Sequence, residues 1–350
     1  MKKKIAVILA MTLVLCCSCN AKDTSIKIET TISTQAETSA KETVSVPETK
    51  ETEEPSSIPG EKPHIDHGES ENYTYHEGRN YFLYVEKGGK VDTGVYPILE
   101  QVMKEEEELF GLSYDMQGYE GPIGNFKSFF MGKELEGVNQ DHSKMEILIS
   151  VEQPDETVEW SSSNELELFD GDLLDKSTLN VAYHEFAHLL RQRQSPQLGR
   201  VLEEGIALYA ERVLSEKAHV PDWSYIQYVD TSMDFFDEDE MLRDPETAFI
   251  KTESEEHDGR QNEYQYGVRF MTFLIETYGI GIVKDLGEAA KLVENPYEDC
   301  EALVWIIKRC TSPEVFSDFA KWYKENWQKH CDAYYEYMKP FDTEGFITAG

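Results

Sequence analysis

The chain has 350 residues, 40% hydrophobic and 29% charged, which is long enough for one large domain or two modest ones. Its 68 acidic residues outnumber the 33 basic ones and give a net charge of −35, so nucleic-acid binding is excluded because phosphate would be repelled. Aromatic residues at 11% argue against a disordered chain, and no apolar run reaches the roughly 18–20 residues of a membrane span.

The amino terminus has the pattern of an export signal. Lysines at positions 2–4 precede an apolar run, residues 5–15, that is too short to span a membrane. The Cys-Cys-Ser-Cys segment that follows resembles the lipobox of bacterial lipoproteins, in which a small residue precedes a lipid-modified cysteine. Ser18 favours Cys19 as the lipidated residue, with Cys16 and Cys17 as alternatives. We expect residues 1–18 to be a lipoprotein-type signal peptide and the protein to be lipid-anchored on the extracellular side of a bacterial cell membrane, or else secreted.

Residues 19–72 are rich in Ser, Thr, Glu and Pro and contain no aromatic residue. Such a segment cannot bury enough apolar surface to offset the entropy of ordering it. It is therefore predicted to be a disordered tether, and the folded body is predicted to begin at Tyr73.

Residues 73–177 are predicted to form a small mixed α/β subdomain. Aromatic and β-branched residues indicate a strand over 81–85, and alternating apolar residues indicate another over 145–151. Helical spacing of apolar residues predicts a helix over 95–109 that ends at Gly111. Residues 165–169 are predicted to be a short edge strand.

Residues 178–340 are predicted to form a mostly helical subdomain, which makes the fold class α+β. Two acidic runs in it, 234–240 and 253–258, are predicted to be loops. Apolar periodicity predicts helices over 178–194, 200–216, 263–278, 282–293, 299–309 and 313–338.

The candidate chemistry lies in the segment His184-Glu185-Phe186-Ala187-His188. Residues four apart share one face of a helix, so His184 and His188 can converge on one Zn²⁺ ion. Glu185 can then reach a zinc-activated water without binding the metal. This HExxH arrangement is typical of metalloproteases, in which the Glu is the general base.

A third protein ligand is expected, because catalytic zinc keeps only its fourth position for water. After a short turn at 195–199, the next helix carries Glu203-Glu204-Gly205, and an antiparallel return would bring a carboxylate to the histidines. Residues 201–207 resemble the L-x-E-G-x-A ligand helix of gluzincin metallopeptidases, the thermolysin and aminopeptidase-N type group. In that pattern the Glu directly before Gly binds zinc, which selects Glu204. Glu203 is the alternative ligand, and otherwise it is predicted to be a solvated surface acid.

The resemblance extends to a later helix, where aminopeptidase-type gluzincins carry a Y-x-x-G segment. Tyr264-Gln265-Tyr266-Gly267 matches it. By this resemblance Tyr264 is a catalytic residue whose hydroxyl donates a hydrogen bond to the developing oxyanion, with Tyr266 as the alternative. The Gly-x-Met-Glu-Asn motif that recognises a free amino terminus is missing from the sequence, which argues against a standard aminopeptidase.

The resemblance implies a zincin-like fold with the active site in the cleft between the two subdomains. The expected function is zinc-dependent hydrolysis of peptide or protein substrates, with Glu185 as general base. The chain is expected to be a monomer that touches a membrane only through its lipid anchor. Two alternatives are a catalytically inactive gluzincin-like surface protein that binds peptides or a partner, and a structural lipoprotein in which HExxH is accidental.

Overall fold

A computed structural model describes most of the folded body, in residues 67–69, 72–115, 129–130, 133–134, 144–151, 160–161, 165–173, 179–229, 237–254 and 260–343. The predicted signal, Cys19 and the predicted tether up to residue 66 lie outside the described residues. None of the helices that the structure describes combines the length and the apolarity that a membrane span requires.

The first half of the described chain contributes a mixed six-stranded sheet. Its strand order is β1-β2-β3-β6-β8-β7, with β3, β6 and β8 parallel and the outer pairs antiparallel. The short β4 and β5 form a separate two-stranded pair. The strands are β1 His67–Glu69, β2 Tyr73–Glu77, β3 Tyr81–Glu86, β4 Phe129–Phe130, β5 Lys133–Glu134, β6 Met145–Ser150, β7 Trp160–Ser161 and β8 Glu165–Phe169.

The helices account for nearly all of the second half. They confirm the six helices predicted there, to within a few residues at each end. The bounds are α1 Tyr96–Phe110, α2 Leu179–Gln194, α3 Arg200–Ala218, α4 Trp223–Val229, α5 Glu238–Arg243, α6 Pro245–Ser254, α7 Arg260–Tyr278, α8 Ile282–Ala290, α9 Cys300–Cys310 and α10 Val315–Met338.

Three expectations need correction. The strand β8 is not an edge strand, because β7 pairs with its outer side. The sheet also includes β1, which precedes the predicted start of the folded body at Tyr73. The acidic run predicted as a loop over 234–240 enters helix α5, whose first turn is acidic and whose amino terminus is capped by the Asp237 side chain. Acidic side chains are favourable at that end of a helix, because they face its exposed N–H groups.

One apolar core joins the sheet to the helices. Leu83, Ile147 and Leu166 of the sheet belong to the same buried cluster as Phe186 of α2 and Phe270 of α7. Residues of opposite parity on the sheet form a second, smaller cluster, which includes Phe82, Tyr84 and Leu148. The alternation along β3 and β6 therefore sets which side chains face the helices. The sheet and helices share one core, which supports α+β as the fold class.

Candidate metal centre

Helix α2 carries both histidines of the HExxH segment. It is buried along most of its length, and His188 is 7% exposed. The two imidazoles meet as expected for residues one turn apart, with 3.3 Å between their Nε2 atoms. Two accidental surface histidines would not be buried in this way, so the segment is part of an internal polar site.

Glu204 joins the histidines from helix α3. Its Oε2 atom lies 3.2 Å from Nε2 of His184 and 3.4 Å from Nε2 of His188. The turn at 195–199 reverses the chain, and α3 packs against α2 as the sequence predicts. His184, His188 and Glu204 form a group that can hold a metal ion.

The contact between α3 and α7 is closest beside this group. A Cβ atom on Gly205 would lie 2.4 Å from the carbonyl oxygen of Gly267, and one on Gly267 would lie 2.3 Å from the carbonyl oxygen of Val201. The glycines of the E-G-x-A and Y-x-x-G segments therefore face each other where the helices cross. Any side chain at either position would force the two backbones apart.

This crossing brings Tyr264 to the group that can hold a metal ion. Its ring is half-buried and stacks against that of His184, with 6.1 Å between centroids and 22° between planes. Tyr266 is instead a core residue: it is 1% exposed, and its hydroxyl donates to the carbonyl oxygen of Pro245 at 2.8 Å. Of the two tyrosines, only Tyr264 has its ring against a histidine of the group.

Glu185 is also buried, at 6% exposure. It lies on α2 beside His184, and its negative charge helps to raise the pKa of that histidine. Helix α2 thus carries the carboxylate of Glu185 next to the group as well as the imidazole nitrogens of His184 and His188.

Glu211 was not identified from the sequence, although it lies two turns after Glu204 on α3. Its Oε2 atom is 2.9 Å from Nδ1 of His184. A carboxylate behind a metal-binding histidine accepts the Nδ1 proton, fixes the ring and leaves the Nε2 lone pair for the metal. The spacing of seven residues from Glu204 was the available signal, because it places both carboxylates on the same side of the helix.

Glu203 is buried, so its assignment as a solvated surface acid is wrong. It is 2% exposed and accepts a hydrogen bond from Nε of the equally buried Arg191 at 2.8 Å. Its other oxygen accepts the backbone N–H of Leu198 at 2.6 Å. Helix α3 is enclosed on several sides, and for this reason two adjacent glutamates are both internal. Glu203 pairs with Arg191 and also lies 3.9 Å from Nδ1 of His188, whereas Glu204 faces the Nε2 atoms of both histidines.

The Glu203→Gln variant should distinguish the roles of Glu203 and Glu204 experimentally. An amide cannot neutralise the buried guanidinium of Arg191, so the free energy of unfolding should fall by about 3 kcal/mol. The stoichiometry of any bound metal should stay unchanged, since Glu204 remains. Denaturant titration and metal analysis provide the two readouts, and loss of zinc from the folded variant would make Glu203 the ligand.

The protonation states of His184, His188 and Glu204 depend on one another. Burial lowers the pKa of His184, but hydrogen bonds to Glu204 and Glu211 outweigh it and hold that pKa well above its usual value. Burial also lowers the pKa of His188, yet Glu204 and Glu203 raise it to about 9. Burial raises the pKa of Glu204, and the two imidazoles outweigh this and hold it well below its usual range. The site therefore favours positive charge among its ring nitrogens, as protons or as a metal ion.

A further buried acid, Glu106, lies on helix α1. Burial raises its pKa well above the usual value, and the charges of His184 and His188 oppose that shift. Neither carboxyl oxygen has a hydrogen-bond partner among the residues that the structure describes. The residue falls in an acidic run, yet its position continues the apolar spacing of Leu99, Val102 and Phe110, and this spacing was the signal that it faces inward.

No family model matches the chain, and no curated protein matches it. The chemistry of the site follows from its own groups: two ring nitrogens and a carboxylate around one point, a second carboxylate beside them on α2, and a tyrosine ring from α7.

Proposed function

We propose that the protein is a zinc-dependent peptidase of the gluzincin type, with His184, His188 and Glu204 as the zinc ligands. The triangle formed by the three donor atoms carries this proposal, because its sides are 3.2, 3.3 and 3.4 Å. Tetrahedral zinc bound at about 2.0–2.1 Å requires ligand atoms about 3.3 Å apart. The triangle matches one face of that tetrahedron, which leaves the fourth corner for water or substrate.

The chemistry of the donors supports zinc over calcium and magnesium. Calcium and magnesium prefer sites made of oxygen atoms, whereas two imidazoles and one carboxylate suit zinc. Glu211 supports the same assignment, because its contact with Nδ1 of His184 directs that ring's Nε2 lone pair toward Glu204. Two acceptors that face each other at 3.2 Å repel unless a proton or a metal ion lies between them.

The residues around the group have distinct roles in the proposed reaction. Bound zinc supplies Lewis acidity toward the scissile carbonyl and lowers the pKa of water. Glu185 takes a proton from the attacking water and later delivers it to the leaving amine. Tyr264 donates a hydrogen bond from its hydroxyl to the carbonyl oxygen as that atom gains negative charge.

We assign a zincin-like fold to the body, with the active site in the cleft between the mixed subdomain (73–177) and the helical subdomain (178–340). Contacts of β7, β8 and the 3₁₀ helix Asp170–Leu173 with α2 support this assignment, since α2 carries both histidines. We further propose that the protein acts on peptides as a monomer. It is held by a lipid on Cys19 at the extracellular side of a bacterial membrane, and this last point rests on the sequence pattern alone.

Zinc affinity should rise with pH between 6 and 9. The folded, metal-free protein holds a proton on His188 up to a pKa of about 9, and zinc must displace that proton. Zinc must also displace the Nε2 proton of His184, whose pKa is raised as well, so affinity should fall by about tenfold or more for each pH unit from 8 to 6, while Glu204 stays charged throughout. Competition with a chelator of known pH dependence measures this, and a constant affinity from pH 6 to 8 would contradict the proposed proton exchange.

A peptide-library digest tests the activity. Zinc-loaded protein should cleave internal peptide bonds, 1,10-phenanthroline should stop cleavage, and added zinc should restore it. Zinc binding at one ion per chain without any cleavage would favour the inactive surface protein. Absence of both would indicate that the HExxH segment is accidental.

A further inference from the structure

Helix α4 contacts Glu211, the carboxylate that lies behind His184 in the proposed metal centre. The hydroxyl of Ser224 lies 2.7 Å from Oε1 of Glu211, the acid whose other oxygen contacts His184. Asn180 of α2 donates to both Ser224 and Glu211, at 3.2 and 3.3 Å. The Ser224 hydroxyl also lies 2.7 Å from Oδ1 of Asp222, which interacts with Glu211 as well. The orientation of Glu211, and through it that of His184, therefore depends in part on a serine from a separate helix.

The same helix contacts the tyrosine of the site. Tyr228 is 7% exposed, and its ring lies parallel to that of Tyr264, with 5.2 Å between centroids and 15° between planes. One residue further along α7, the amide of Gln265 donates to the carbonyl oxygen of Gln227 at 3.2 Å. Helix α4 thus holds the first part of α7 by a ring contact and a hydrogen bond.

Helix α10 holds α4 at both ends. The hydroxyl of Tyr334 donates to the carbonyl oxygen of Asp222, just before α4 begins, and its ring contacts Tyr225 with 4.7 Å between centroids. The thiol of Cys331 lies 3.2 Å from the carbonyl oxygen of Val229, where α4 ends. A seven-residue helix is not stable by itself, so these contacts keep α4 in place.

We propose that α4 is a positioning element for the metal centre, in which Ser224 orients Glu211 behind His184 and Tyr228 orients the ring of Tyr264. Neither residue touches the substrate or the metal. The proposal rests on the proposed zinc peptidase function. It adds that two separate properties, metal affinity and transition-state stabilisation, depend on two side chains of one short helix.

Ser224→Ala should raise the dissociation constant for zinc by about tenfold, the lower end of the range for partners behind a metal ligand. The variant leaves Glu211 with Asn180 and Asp222 but without the hydroxyl. Ser224→Cys, which keeps a weaker donor, should fall between the variant and the wild type. Chelator competition measures zinc affinity for each protein, and this readout does not depend on activity.

Tyr228→Leu should lower kcat by about tenfold and leave KM and zinc affinity unchanged, because it frees the ring of Tyr264 without altering a ligand. Tyr228→Phe keeps the ring and should restore kcat. If the role of the two residues were purely structural, the metal-free forms of Ser224→Ala and Tyr228→Leu would both have a lower unfolding midpoint. Zinc affinity and kcat would then not change separately in the two variants.

Trp223→Ala is the matched control on the same helix, since its side chain is exposed and should affect neither property. The proposal is overturned if Ser224→Ala binds zinc as tightly as wild type, or if Tyr228→Leu and Tyr228→Phe have the same kcat. These outcomes leave the wild type as an active zinc enzyme. A wild type that binds no zinc would instead overturn the proposed function itself.

Discussion

Replacing Glu185 by Gln is expected to reduce peptide cleavage by about 10²–10⁴-fold while the protein still binds one zinc ion per chain. The amide has nearly the shape of the carboxylate but cannot accept a proton from water. Glu185 is not a member of the metal-binding group, so its loss of charge should leave the metal in place. Measurement of kcat/KM on a peptide from the library digest, together with metal analysis, checks both parts.

Glu301→Gln is a suitable control, because it removes the same charge from an exposed position on α9. It should match the wild type in activity and zinc content. Wild-type activity in Glu185→Gln would contradict the assignment of Glu185 as the base. Loss of zinc from that variant would show that Glu185 contributes to the metal site directly.

The Gly267→Ala variant should have the largest effect on the scaffold. Alanine is favoured over glycine in a helix by about 1 kcal/mol, but its Cβ would lie 2.3 Å from the carbonyl oxygen of Val201. Separation of α3 from α7 should cost more than that gain, so stability should fall by about 2 kcal/mol or more. Glu204 and Tyr264 lie on the two helices that separate, and zinc affinity and cleavage should therefore fall together.

Gly281→Ala is the matched control, since a Cβ there meets nothing within 4 Å and the residue has ordinary helical angles. It should be neutral or slightly stabilising, because alanine restricts the unfolded chain. Denaturant unfolding of both variants gives the comparison. Wild-type stability and zinc affinity in Gly267→Ala would show that the close crossing is not needed.

Helices and strands with strong local patterns were predictable from the sequence. Helix α7 and strand β6 each show the apolar spacing of their class over several turns or residues. The elements that were missed are strands β1, β2, β4, β5 and β7 and helices α4, α5 and α6. Most of these are strands of two or three residues or helices of six or seven, which have too little periodicity to detect and form because distant parts of the chain pack against them. The five-residue β2 and the ten-residue α6 are longer and were missed all the same.

The candidate metal group was predictable because the spacing of His184 and His188 is local and the motif around Glu204 is short. The contacts that other helices make with this group were not predictable from the sequence. Glu211, Ser224 and Tyr228 reach the centre only through the packing of α3 and α4. The burial of Glu203 was missed for the same reason, since nothing in its neighbours along the chain indicates Arg191 as a partner.

Zinc stoichiometry is the most direct test of the three-ligand centre. Purified wild-type protein dialysed against zinc should retain one ion per chain by atomic absorption, as should Glu203→Gln. His184→Ala and Glu204→Ala should each retain none while remaining folded by circular dichroism. A wild type without zinc, or a Glu204→Ala variant that keeps a full equivalent, would contradict the proposed metal centre.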